Sequence, residues 1–189
     1  MAEHVVLFAG PMGAGKTTAI ESLSEIEVVR TEANNSERHI VDKATTTVAL
    51  DYGEITIGGE EKVRLYGIPG QRRFSFMWAI LKKRAKGMVL LVNSDAPDPI
   101  GEMLAFIDEF RELYDRGGVV VGISRSDVAA GLTIASVSEA LERTNPDLVI
   151  PVFTVDPRER DQMQNVLLAL VVNIEMREMF GMMAAQESA

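Results

Sequence analysis

The sequence predicts an α/β fold: a mostly parallel six-stranded sheet, one antiparallel edge strand, and helices on both faces. Three observations predict it. Apolar runs of strand length alternate with segments of helical periodicity. A glycine-rich turn, Gly10-Pro11-Met12-Gly13-Ala14-Gly15, separates the first apolar run from the first helical segment. One hairpin signal, Gly58-Gly59, lies between two strand-like runs and accounts for the antiparallel edge.

In order along the chain, His4–Ala9 is an apolar run that reads as the first strand, and residues 16–26 as the first helix. Residues 27–46 are polar and read as a loop. Residues 47–57 and 62–66 are the two strands of the hairpin, and 72–84 is helical. Gly87–Asn93 is continuously apolar, as a strand covered on both faces must be. Residues 100–115 place Met103, Leu104, Phe106, Ile107, Phe110, Leu113 and Tyr114 on one helix face, which Gly117-Gly118 ends. Residues 119–123 form another buried strand, and 133–143 a short helix with Thr133 as its cap. Residues 148–153 read as the last strand and about 158–180 as a long C-terminal helix. At 189 residues the chain is expected to form a single domain, 1–189.

The segment Gly10 to Thr17 matches G-x-x-x-x-G-K-[ST], the phosphate-binding P-loop, in the strand–turn–helix setting that motif requires. Its chemistry follows from the backbone. Successive N–H groups of Met12, Gly13, Ala14, Gly15, Lys16, Thr17 and Thr18 make a concave anion site at a helix N-terminus, and the helix dipole adds positive potential. Lys16 supplies a point charge for the β- and γ-phosphates, and the Thr17 hydroxyl is a Mg²⁺ ligand.

The chain resembles the small Ras-like GTPases along nearly its whole length, and in particular the bacterial branch related to the gliding and polarity GTPases. The resemblance rests on the P-loop and three weaker motifs. Gly67-Ile68-Pro69-Gly70-Gln71-Arg72-Arg73-Phe74 is similar to D-x-x-G-Q-E-R-F, with Gly67 in place of the Asp that helps hold Mg²⁺ in the family. Thr47-Val48-Ala49-Leu50-Asp51-Tyr52 looks like T-x-G-x-D-F, which makes Thr47 the second metal ligand, with Thr46 as a substitute. Ser124-Arg125-Ser126-Asp127 resembles [NT]-K-x-D, with Asp127 accepting from the guanine N1–H and amino group and Arg125 laying its stem across the base. The place of the fifth motif reads Thr154-Val155-Asp156 and lacks the family residues.

The resemblance implies a P-loop, small-GTPase-like fold that binds GTP or GDP with Mg²⁺. Gly70 would offer its N–H to the γ-phosphate, and Gln71 would act with Lys16 as the catalytic pair, orienting water. Switch regions would span about 27–47 and 67–76, and roadblock-type or GTPase-activating proteins would be partners. The long side chain of Met12, where many relatives keep glycine, predicts slow hydrolysis. Two other readings remain open: a nucleotide-binding scaffold with little hydrolysis, and a P-loop ATPase or kinase. Trp78, just after the second switch, reads equally as core or as a partner-facing aromatic.

Composition narrows the classes. A net charge of −9 argues against general nucleic-acid binding and against adhesion to anionic membranes by charge. The basic cluster Lys82-Lys83-Arg84-Ala85-Lys86 reads as a solvated helix end. The chain has no cysteine, so disulfides and cysteine-held zinc are excluded. His4 and His39 read as structural or surface residues, and the methionines from Met176 to Met183 as a helix packing edge. The start lacks the basic region of a signal peptide and no run is long enough to span a bilayer, which predicts a cytoplasmic chain with no integral membrane segment.

Overall fold

Seven strands form one sheet in the computed structural model, which describes residues 3–30, 50–59, 61–70, 75–128 and 131–187. The elements are β1 (Glu3–Ala9), α1 (Lys16–Leu23), β2 (Val29–Arg30), β3 (Asp51–Ile57), β4 (Glu61–Gly67), α2 (Ser75–Arg84) and β5 (Gly87–Asn93). They continue with α3 (Pro99–Glu109), α4 (Arg111–Asp115), β6 (Val119–Ser124), α5 (Ile134–Thr144), β7 (Val152–Thr154) and α6 (Arg160–Glu187). The strand order is β2-β3-β4-β1-β5-β6-β7. β4, β1, β5, β6 and β7 run parallel, and β3 is antiparallel to both of its neighbours.

Side-chain alternation along the central strands explains the two layers of helices. Leu7 and Ala9 of β1 face a core built with Trp78, Phe106, Phe110, Tyr114 and Leu141. Val6 and Phe8 face the opposite core, which α1 and α6 close with Ile20, Leu23, Met163, Val166 and Leu170. β5 divides the same way, Met88, Leu90 and Val92 to one side and Val89 and Leu91 to the other. Burying each such Leu or Phe contributes about 1.5–3 kcal/mol. Trp78 is 3% exposed and lies beside the rings of Phe106 and Phe110, each 5.7 Å away by centroid, so its ring is part of the core.

Several boundaries depart from expectation. The sheet gains a seventh strand, β2, from the polar stretch read as loop; its two residues are exposed and pair with β3 through backbone alone. The helix expected over 100–115 breaks at Phe110, whose backbone (φ −106°, ψ 34°) leaves the helical basin, giving α3 and α4. The last strand falls at Val152–Thr154; Leu148 and Ile150 are buried core residues outside it. α6 runs to Glu187, beyond the expected end. Met176 and Met179 are half exposed, so they are not a packing edge. Thr133 does cap α5, in a box closed with Ser136. Lys82, in the basic cluster, pairs with Glu109, and Lys86 with Glu178. Among the described residues no helix is long and apolar enough to cross a membrane.

The fold places one end of β1 at the point that matters. β1 lies between β4 and β5, so connections leave it toward opposite halves of the sheet, and the crevice at the carboxyl ends of the strands opens there.

Candidate functional site

The phosphate loop fills that crevice, and its glycines are needed for two physical reasons. Gly10 (φ +134°) passes so close to β5 that a Cβ would lie 2.1 Å from the Leu91 carbonyl oxygen. Gly15 (φ +90°) sits under Pro157, where a Cβ would lie 2.6 Å from Cγ. Neither backbone conformation suits an L side chain. Gly15 also starts α1 with no side-chain cap, so the first-turn N–H groups are not satisfied by a cap.

Lys16 folds back over the loop. Its Nζ donates to the carbonyls of Gly10 at 2.8 Å and Pro11 at 2.7 Å. An ammonium has three donors, so one remains for a phosphate oxygen. Burial lowers the Lys16 pKa to about 8, an effect the nearby Asp51 carboxylate opposes. The Met12 side chain is 75% exposed, while its carbonyl accepts from Asn93 Nδ2 at 3.3 Å. Asn93, at the end of β5, thus ties the loop to the sheet, a role no motif signals.

Thr17 donates its hydroxyl to Asp51 Oδ2 at 2.5 Å. Asp51 is the residue of β3 that pairs directly with Gly67 of β4. A Cβ added at Gly67 would lie 3.1 Å from both Asp51 Cβ and Oδ2. The carboxylate missing at position 67 is therefore matched by one entering the same space from the neighbouring strand. The signal was available in the hairpin: Gly58-Gly59, both with positive φ, sets the register that pairs 51 with 67. A hydroxyl that gives its proton to a carboxylate turns its lone pairs outward, and this donor set suits Mg²⁺.

Gly70 lies against the loop as well. A Cβ there would come within 2.7 Å of the Gly10 carbonyl oxygen, so the backbone at Gly70 packs directly on the phosphate loop. Gln71, Thr46, Thr47, His39 and most of the first switch lie outside the described residues.

From the phosphate loop a cavity of about 690 Å³ runs to the ends of β6 and β7. Gly13, Ala14, Gly15 and Thr18 line one end; Asp127, Arg158 and Gln162 line the other. Ser124 is fully buried, and its hydroxyl donates to the Val92 carbonyl at 3.3 Å, so this side chain braces β5 against β6. Arg125 adopts φ +60°, the left-handed conformation, and pairs with Asp95 at 2.8 Å. Asp127 is exposed to the cavity. In the place of the fifth motif, the Asp156 N–H donates to Gln162 Oε1 at 2.9 Å. The Arg158 guanidinium on Asp156 holds that carboxyl down at about 2. Arg158 is thus paired with Asp156, and Arg160, at the start of α6, donates to the Ser22 carbonyl of α1. Thr154, Asp156, Arg158 and Gln162 are cavity residues that the motif reading did not assign.

Similarity to known proteins agrees with a nucleotide site. Intraflagellar transport protein 22 of Chlamydomonas reinhardtii is 25% identical over 138 residues, 70% of this chain and 68% of that protein. An uncharacterized protein of Methanocaldococcus jannaschii, MJ1339, is 27% identical over 169 residues, 88% of this chain and 96% of its own length. Residues 26–186 match the family described as conserved hypothetical ATP binding protein. The phosphate loop precedes that stretch, so motif and family match are separate signals of nucleotide binding. The chain belongs to this family of conserved hypothetical ATP-binding proteins.

Proposed function

We propose that this protein is a guanine-nucleotide switch that binds GTP and GDP with Mg²⁺ and hydrolyses GTP slowly. The observation that carries the reading is the single cavity joining the phosphate loop to Asp127. A nucleotide whose phosphates rest on the N-terminus of α1 brings its base to that carboxylate. A carboxylate accepts from the N1–H and the amino group of guanine together; adenine has no such donor pair.

At the phosphate end, the spare Lys16 proton and the N–H groups of residues 13–18 hold the β- and γ-phosphates. Thr17 and Thr47 would hold Mg²⁺, with Asp51 supplying the carboxylate that Gly67 lacks. The metal would neutralise charge that develops on the phosphate oxygens. In hydrolysis a water oxygen bonds to the γ-phosphorus while the bond to the β–γ bridging oxygen breaks; Gln71 orients that water. The Gly70 N–H, beside the phosphate loop, would respond to the γ-phosphate, which supports a switch whose output is read by partner proteins.

The family description names ATP, which makes nucleotide competition the test. Nucleotide-stripped protein is titrated with labelled GDP, then displaced by GTP, GDP or ATP, with and without Mg²⁺. The expected result is displacement by guanine nucleotides at concentrations at least a hundredfold below ATP, on the order of two well-made hydrogen bonds. Equal displacement by ATP would contradict the guanine reading and leave the phosphate site standing.

A further inference from the structure

We infer that the cavity between α2 and α3 is a second binding site, which takes an arginine side chain presented by a partner polypeptide. The cavity measures about 360 Å³ and opens beside the phosphate loop, with Pro11 and Gly70 on one wall. It is separate from the cavity that leads to Asp127.

Two residues on its lining each carry a buried polar atom that has no hydrogen-bond partner among the described residues. Trp78 is 3% exposed, and its indole Nε1 is buried without an acceptor. Glu102 Oε2 is buried without a donor. A buried orphan of either kind is costly, and the two are complementary in what they require. The occupant must bring an acceptor for the indole and a donor for the carboxylate.

Charge selects among such occupants. Glu102, Asp108 and Glu109 all line the cavity, and no lysine or arginine does so among the described residues. Glu109 is already bridged to Lys82, which leaves Glu102 and Asp108 to meet a cation. Trp78, Ala105 and Phe106 supply an apolar wall against which the stem of an arginine lies. A guanidinium has five donors and no acceptor, so it satisfies Glu102 and not Trp78. The peptide backbone that carries the arginine supplies the carbonyl. An arginine within a polypeptide therefore meets both demands, whereas a free metal ion brings no acceptor for the indole and an anion brings no donor for the carboxylate.

The chain has one tryptophan, so its fluorescence and its single indole N–H resonance report this site directly. The probe is acetyl-Gly-Arg-Gly-amide, titrated into the full chain with and without GDP. A second titration uses the same peptide with neutral citrulline in place of arginine. The expected result is a saturable change in emission, with the indole N–H proton moving downfield as it gains an acceptor. Citrulline should weaken binding at least about tenfold, because a charge-assisted pair is lost. Glu102→Gln should impose a similar loss on the arginine peptide and little on the citrulline one. Wild-type protein alone suffices should that variant fold poorly, since the peptide comparison needs no mutation. The inference is overturned by any of three results: no saturable change up to about 10 mM peptide, equal affinity for the two peptides, or an indole resonance that stays in place while emission saturates. None of these depends on which base the other cavity accepts.

Discussion

The two ends of the cavity proposed to hold the nucleotide, one for its phosphates and one for its base, are built from different materials. The phosphate end is backbone: N–H groups of residues 13–18, carbonyls of Gly10 and Pro11 that tether Lys16, and glycines placed where a Cβ would strike Leu91 or Pro157. The base end is side chains tied in pairs: Arg125 with Asp95, Arg158 with Asp156, Gln162 with the Asp156 N–H, and Asp127 facing the cavity. Backbone geometry tolerates little substitution, so the phosphate end keeps a fixed residue spacing. Side-chain pairs can be exchanged for others of equal reach, so the base end departs from its motif at Ser124, Arg125 and Thr154–Asp156.

The largest test of that contrast is Gly10→Ala. The added methyl meets the Leu91 carbonyl in a backbone conformation that alanine avoids. Urea unfolding should show a loss of about 3 kcal/mol or more, with nucleotide binding lost alongside. Next comes Lys16→Met, which keeps the stem and removes the charge. It should cost about a hundredfold or more in GDP affinity, measured by direct titration.

Lys16 also predicts a pH dependence. Its pKa in the free protein lies at about 8, below the ordinary lysine value. Phosphate binding needs the ammonium, so affinity should hold below that value and fall as pH rises through it. Between pH 7 and pH 9 the loss should be about tenfold, and Lys16→Met should abolish the dependence. A profile flat across this range would contradict the role given to Lys16.

A smaller effect should follow from the strand-swapped carboxylate. Asp51→Gly should reduce the Mg²⁺-dependent slowing of GDP release by about tenfold. Adding Gly67→Asp to it should restore much of that slowing, whereas Gly67→Asp alone sets two carboxylates in one space and should weaken the metal effect. Additive losses would show that position 51 does not stand in for position 67. The smallest effect belongs to the base end. Arg125→Gly relieves a left-handed backbone and removes the ion pair with Asp95, opposing terms that should leave stability within about 1 kcal/mol while GDP binds several-fold more weakly.

The fold was largely legible because continuous apolar runs such as Gly87–Asn93 and Val119–Ser124 have one physical use, a strand covered on both faces. The two-residue β2 was not, because backbone pairing at an exposed edge leaves no pattern in side chains. Phe110 carried the helical period through the break between α3 and α4, since it is buried at the break itself. In the site, the strand–turn–helix around Gly10 to Thr17 was legible from its glycine spacing. Asp51 was legible as a motif position, yet its nearness to Thr17 depends on hairpin register. Asn93 and Gln162 were not legible, because each acts on the backbone of a segment remote in sequence or hidden in a loop.

The most direct test of the central claim is Asp127→Asn, measured by competition between GDP and xanthosine diphosphate. The substitution turns an acceptor into a group that also donates, and xanthine carries a carbonyl where guanine carries the amino group. The account predicts that GDP affinity falls by about a hundredfold or more while the xanthine nucleotide becomes the tighter ligand. Unchanged preference for GDP, or an equal loss for both nucleotides, would contradict the assignment of Asp127 as the residue that reads the base.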